Sequence, residues 1–372
     1  MNTEIFNFTD HSKEIPTFKE PMDNKNNYYK LGPDNRYYDY LQDLYKSSSN
    51  HSSMVDNIIQ RITGTGFQSE IPEQQELIEK YKLNEWLNIS AKNLVLYGGF
   101  STEIIWDMLH EKINSFYGTQ LDKVRVGLID IEGGEEDPTL YYYSDYFSEY
   151  TYGSRNKYID ILYKFDTEPG TDAHQMMYNY GVNRVGNDIY PRSDYSSGSA
   201  WIHCDIQIPL YYMNLLYNNF MVSGILVVPF QPSEDDRMEF EKGIKEKFVG
   251  TENAASTMVV YAPSGDGTNE VKYLNITGDQ GERKYDELLN LTAESISRIH
   301  NIPSPMLAGI SLPGNLFGVS DLPFLETMFN KQNIYPKRQL ILQEFNKINE
   351  YLRTPITNFD IGDINVFDEK TV

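Results

Sequence analysis

Ile296-Ser-Arg-Ile-His-Asn-Ile-Pro-Ser-Pro-Met-Leu-Ala-Gly309 is followed directly by Ile310-Ser-Leu-Pro-Gly-Asn-Leu-Phe-Gly-Val319. The first part reads as the end of a long helix. Tyr285, Leu288, Leu289, Ile296 and Ile299 fall on its apolar positions from about Gln280 onward, and Pro303 and Pro305 stop it. The second part is unusual. From Met306 to Val319 there is no charge, but there are three glycines, one proline and apolar Ile310, Leu312, Leu316 and Phe317. Surface loops are normally polar. A loop this apolar is either tucked into a core or faces a partner or a shared lumen, and the residues alone leave both readings open.

Working outward, Asp321 to Leu352 has the pattern of a last helix, which Pro336 should kink or split. Upstream, Ile206 to Met221 is apolar nearly all round, with Pro209 suited to a first helical turn. Such a helix is buried or packed between subunits. Between these helices lies a β-α-β-β pattern. Ile225–Val228 reads as a strand and Ser233 with Asp236 as a helix cap. Met238, Phe240, Ile244 and Phe248 form a helix face, and strands are expected at Thr257–Tyr261 and Glu270–Ile276.

Nearer the N-terminus, residues 1–36 read as a loose polar arm. Residues 34–62 are helical with a break at Ser47–Asn50; Val55, Ile58, Ile59 and Ile62 share one face, and Gly64-Thr-Gly66 ends the helix. Helices are expected at Glu73–Leu87 and at Thr102–Phe116. From Lys123 the period becomes that of strands: Val124, Val126 and Leu128, then an acidic turn at 132–138, then tyrosine-rich segments at 141–152 and 158–165. Residues 172–198 are turn-rich and carry no clear pattern.

Composition limits function. The chain has 372 residues, enough for two or three domains. Its 54 acidic against 32 basic residues give a net charge of −22, so the chain as a whole repels nucleic acid. A single cysteine, Cys204, excludes an internal disulfide framework and a cysteine-based zinc site. No signal peptide and no run of the ~18 apolar residues a membrane span needs is expected. The six histidines show no metal-ligand spacing, although His203 adjoins Cys204. No phosphate-binding loop or nucleophile elbow is present, so neither an ATPase nor a hydrolase of those types is expected, and no cofactor is implied. The acidic run Asp130–Asp137 reads as a solvated hairpin tip. A polymer hydrolase using Asp130 and Glu132 is an alternative, and it needs two carboxylates facing one cleft.

The ordered set of elements resembles the portal proteins of tailed double-stranded-DNA bacteriophages. The residues that carry the resemblance are NHSSMVDNIIQRITGTGF (50–67), YNNFMVSGILVVP (217–229), ISRIHNIPSPMLAG (296–309) and NIYPKRQLILQEFN (333–346). It covers most of residues 38–353, and its specificity lies in the order of these stretches.

The resemblance implies an α+β fold with a mixed α/β wing at 37–205, stem helices at 206–223 and 277–303, and a clip at 224–276. It further implies a tunnel loop within 304–320, a long kinked helix at 321–353 and an acidic tail at 354–372, with little or no crown. It implies a non-enzymatic homo-oligomeric ring, typically of twelve, at one capsid vertex. Its partners would be the major capsid protein, the terminase large subunit and a head–tail adaptor, with double-stranded DNA passing through and no membrane involved. The DNA-facing candidates are then Ile310, Ser311, Leu312, Pro313, Gly314, Asn315, Leu316 and Phe317. The candidates for partner docking on the clip are Glu234, Asp235, Asp236 and Asp266. An uncharged loop suits such a channel, because each phosphate-binding lysine or arginine would brake the DNA. Twelve copies would carry 264 negative charges, twelve times 22, which disfavours adsorption to the walls. Another virion component, an adaptor or baseplate protein, is the alternative.

Overall fold

The computed structural model describes residues 18–129, 137–144, 147, 159–167, 172–182, 188–217, 222–228, 256–261, 272–274, 281–310 and 321–364. The chain divides into two compact units, one of residues 1–202 with 294–372 and the other of residues 203–293.

The first unit opens with a small hairpin, β1 (Met22–Asp23) and β2 (Tyr28–Tyr29). Helices α1 (Tyr37–Ser47) and α2 (Ser49–Thr63) come next. The expected break between them is a capping residue: Ser48 accepts a hydrogen bond from the His51 amide at 3.2 Å. Met54, Val55, Ile58 and Ile62 of α2 are buried, as their spacing requires. Gly64 and Gly66 both adopt positive φ, 53° and 79°, and end the helix. The short strand β3 (Phe67–Gln68) lies directly after them.

The expected helix at Glu73–Leu87 is two helices, α3 (Pro72–Lys80) and α4 (Leu83–Tyr97), because Lys82 turns left-handed at φ 53° between them. The helix expected at Thr102–Phe116 is absent. A hairpin stands there instead, β4 (Phe100–Trp106) and β5 (Ile113–Thr119). Ile104, Ile105 and Phe116 have strand character. The reversal is fixed by Asp107, whose carboxylate accepts the Glu111 amide at 3.1 Å, and by His110 at φ 53°.

These two strands join β6 (Val124–Val126), β7 (Leu140–Tyr143), β8 (Asp160–Lys164) and β9 (His174–Asn179). Together they form a six-stranded mixed sheet ordered β5-β4-β9-β8-β7-β6. All pairings are antiparallel except β8–β9. Strand β9 was not legible in sequence: His, Gln, Met and Asn are weak strand formers, and pairing to β4 and β8 makes it a strand. Trp86 of α4 donates to Thr102 at 3.0 Å, and Trp106 donates to Gln175 at 2.8 Å, so both buried indoles are satisfied.

Of the tyrosine-rich strands, β7 is buried at its centre, whereas Tyr163 of β8 is exposed. Tyr141 and Tyr142 are buried, and Tyr141 stacks on Tyr178 at 5.3 Å, so this pair belongs to the core.

The second unit contains three strands, β10 (Val222–Val228), β11 (Ser256–Tyr261) and β12 (Lys272–Leu274), in a sheet ordered β11-β10-β12. Strand β10 runs parallel to β11 and antiparallel to β12. A parallel pair needs a crossover of about a dozen residues or more, which residues 229–255 are long enough to supply. The expected helix at 233–248 lies outside the described residues. Helix α5 spans Ser199–Tyr217, so it begins earlier than expected, and Pro209 lies in its interior rather than in its first turn. Helix α6 is Gly281–Ile299.

The first unit closes with α7 (Leu322–Phe329), a π-helical turn at Asn330–Ile334, α8 (Tyr335–Tyr351) and β13 (Asp360–Ile361). The expected split at Pro336 is this π turn, since proline cannot donate to the Gln332 carbonyl. Strand β13 pairs antiparallel with β3. Arg338 donates to the carbonyls of Ile62 and Arg61 at 2.9 and 2.6 Å, tying α8 to the end of α2.

Candidate channel loop and its mounting

The described part of the loop region is held residue by residue. Helix α6 ends where Asn301 turns left-handed at φ 56°. Ser297 closes the end twice: its hydroxyl donates to the Ile302 carbonyl at 2.8 Å, and its own carbonyl accepts the Ile302 amide at 2.9 Å. Ser304 then accepts the Met306 amide at 3.4 Å and caps a 3-10 turn at Pro305–Ala308. Leu307 is buried, and its carbonyl accepts the side-chain amide of Asn57 on α2 at 3.0 Å. Gly309 turns at φ 77°, and the Ile310 amide reaches back to Pro305 at 3.1 Å. The chain is thus steered firmly up to Ile310, which is half-buried.

Ser311, Leu312, Pro313, Gly314, Asn315, Leu316 and Phe317 lie outside the described residues, as do Glu234, Asp235, Asp236, Asp266, Asp130 and Glu132. The chain re-enters at Asp321. Helix α7 is anchored to α2 by Arg61, whose guanidinium lies 2.8 Å from Glu326, 3.4 Å from Asn330 and 5.8 Å from the Phe329 ring centroid. The described residues on either side of 311–320 are therefore both fixed to α2.

Sequence reading missed a buried histidine pair in this mounting. His51 of α2 and His300 after α6 approach at 2.8 Å, Nδ1 to Nε2, with their rings stacked at 5.0 Å. The Tyr195 ring lies 4.4 Å from that of His51. Burial is the main cause that lowers both pKa values, to about 2 for His51 and about 3 for His300. The field of His300 adds to it at His51, and the Lys337 cation adds to it at His300. The two histidines are 249 apart in sequence, and no local spacing signals the contact. Among the described residues there is no cluster of three or more His, Cys, Asp or Glu that could hold a metal, and no helix long and apolar enough to cross a membrane.

No family model matches the chain, and no curated protein matches it. Solved structures do share its fold. A chain in the virion of a native gene transfer agent particle aligns with TM-score 0.56 at 13% identity, over 88% of this chain and 84% of that one. A chain in the neck of the native particle, computed with C12 symmetry, aligns with TM-score 0.56 at 15% identity over 90% and 84%. A chain in the neck of the empty particle, computed with C6 symmetry, aligns with TM-score 0.52 at 14% identity over 88% and 84%. At these identities the likeness is one of fold, and it runs through nearly the whole of both chains.

Proposed function

We propose that this chain is a ring-forming portal protein of a phage-like virion, a conduit for genome packaging and ejection. The observation that carries the reading is the fold likeness over 88–90% of the chain to chains of gene transfer agent particles, two of them in necks solved with C12 and C6 symmetry. The mounting of the uncharged segment supports it: a loop that must meet moving DNA needs both ends fixed and no phosphate-binding charge. In this reading residues 310–317 line the narrowest point and α5 and α6 supply the stem. The 224–276 region, with Glu234, Asp235, Asp236 and Asp266, docks the terminase and then the adaptor, and the first unit meets the capsid. About twelve copies close into a ring by a heterologous contact.

The test is where the chain sits in assembled particles. Gold labelling against it should mark one vertex per capsid. Label on every vertex, or only along the tail, overturns the reading. Label confined to the tail side of the neck would favour a head–tail adaptor, which the neck location of the related structures also accommodates.

A further inference from the structure

We propose that His51 and His300 form an acid-sensitive latch that pins the end of α6 and residues 302–310 to α2 at neutral pH. On acidification it opens by taking up two protons, before the sheet unfolds. The significance of the loop it mounts rests on the portal reading; the latch itself does not.

The geometry makes the pair intolerant of protons. An N···N contact of 2.8 Å requires one ring to donate and the other to accept. One added proton leaves that bond possible but makes both nitrogens of one ring N–H donors. On His51 the second is Nε2, which is buried and has no hydrogen-bond partner among the described residues. A second added proton sets N–H against N–H and breaks the contact.

Among the described residues, the surroundings do not compensate for the charge. From α8, Lys337 brings a cation toward His300, which further disfavours protonation there. The Lys337 ammonium is bonded to Asn333 of the π turn and lies 2.8 Å from the Asp194 carboxylate, so that carboxylate already faces a cation. Beside Asp194, Tyr195 contributes a buried ring whose hydroxyl donates to the Leu96 carbonyl at 2.7 Å. On α6, Glu294 and Arg298 pair with each other at exposed positions. On α2, Asp56 accepts from Tyr45. Among the described residues, the side-chain hydrogen bonds that tie this segment down are Asn57 to Leu307, Asn333 to the His300 carbonyl at 2.9 Å and the Ser297 closure, beside the buried side chains of Ile296, Ile302 and Leu307 and the Tyr195 ring 5.2 Å from His300. Local opening of such a segment is set by these bonds and apolar contacts together with the histidine pair.

Amide hydrogen exchange on the full chain between pH 7.5 and 4.5, corrected for intrinsic rates, tests this. Two protons taken up on opening predict an opening constant for residues 296–310 that rises on the order of 100-fold per pH unit below about 6.5. Strands β4 and β5 should stay protected over the upper part of that range. His51→Gln, which keeps a hydrogen bond to His300 but removes one titrating ring, should cut the dependence to about tenfold per unit. Protection of 296–310 that does not change with pH, or that is lost together with the sheet, would overturn the latch. Neither result bears on ring formation, which can succeed or fail independently.

Discussion

The Arg61 guanidinium and the Glu326 carboxylate lie 2.8 Å apart with both side chains buried, joining α2 to α7 at the far side of the candidate loop. A buried pair of this kind is weak evidence for net stability, but breaking it is costly, because one charge is left without its partner. Glu326→Gln should therefore lower the unfolding free energy by about 3–5 kcal/mol, read from the urea midpoint. The double variant Arg61→Met with Glu326→Leu should lose clearly less. Equal losses would show that packing, not charge, holds the joint.

Glu344 on α8 gives a pH prediction of opposite character to the histidines. Its Oε2 accepts from Asn179 at 3.2 Å, while its Oε1 is buried without a hydrogen-bond partner among the described residues. Burial raises its pKa to about 7. The folded state then binds more protons than the unfolded state between about pH 4.5 and 7, so this residue makes stability fall as pH rises through that window. Glu344→Gln should raise stability at pH 8 by roughly 1–3 kcal/mol and change little at pH 4.5. Thermal midpoints at the two pH values check it, and a variant less stable at both would contradict the assignment.

Two glycines separate backbone strain from collision. Gly98 sits at φ 87°, and a Cβ there would lie 2.0 Å from the Arg192 carbonyl oxygen. Gly309 sits at φ 77° with nothing among the described residues within 4 Å. Gly309→Ala should cost only the left-handed strain, about 1 kcal/mol. Gly98→Ala should cost at least about 3 kcal/mol, because backbone must move. Similar midpoints for the two variants would mean that the Arg192 segment shifts freely.

Much of this fold was legible in sequence where a signal is local. The Ser48 cap, the glycine stop at 64–66, the strands at 124–126 and 256–261 and the break ahead of Pro336 all arise from residues within a few positions. The failures are non-local. Thr102–Phe116 has an apolar spacing that suits a helix as well as a hairpin, and only pairing to β9 decides it. Lys82 carries no glycine or proline to announce its turn. Pro209 reads as a helix start because sequence cannot show that the flanking turn at Ser199–Ile202 continues the same helix. In the candidate site, the uncharged loop was visible from composition. Its mounting by Arg61, Asn57 and His51 was not, since each partner lies some 250 or more residues away.

Charge in the loop should act on DNA passage rather than on assembly. On the proposed portal reading, Leu312→Lys or Leu316→Lys would place a ring of cations against phosphate, each adding a salt-dependent attraction. Rings of these variants should form normally, while packaged DNA per particle falls and recovers partly at higher ionic strength. Normal packaging at every salt concentration would show that these residues do not line the channel.

The mass of the purified particle decides whether the chain closes into a ring. Light scattering combined with negative-stain images should give a closed assembly near twelve times the 43.1 kDa chain, with a central hole wide enough for duplex DNA. A chain that remains a monomer or dimer, at high concentration and with capsid protein present, would contradict ring closure.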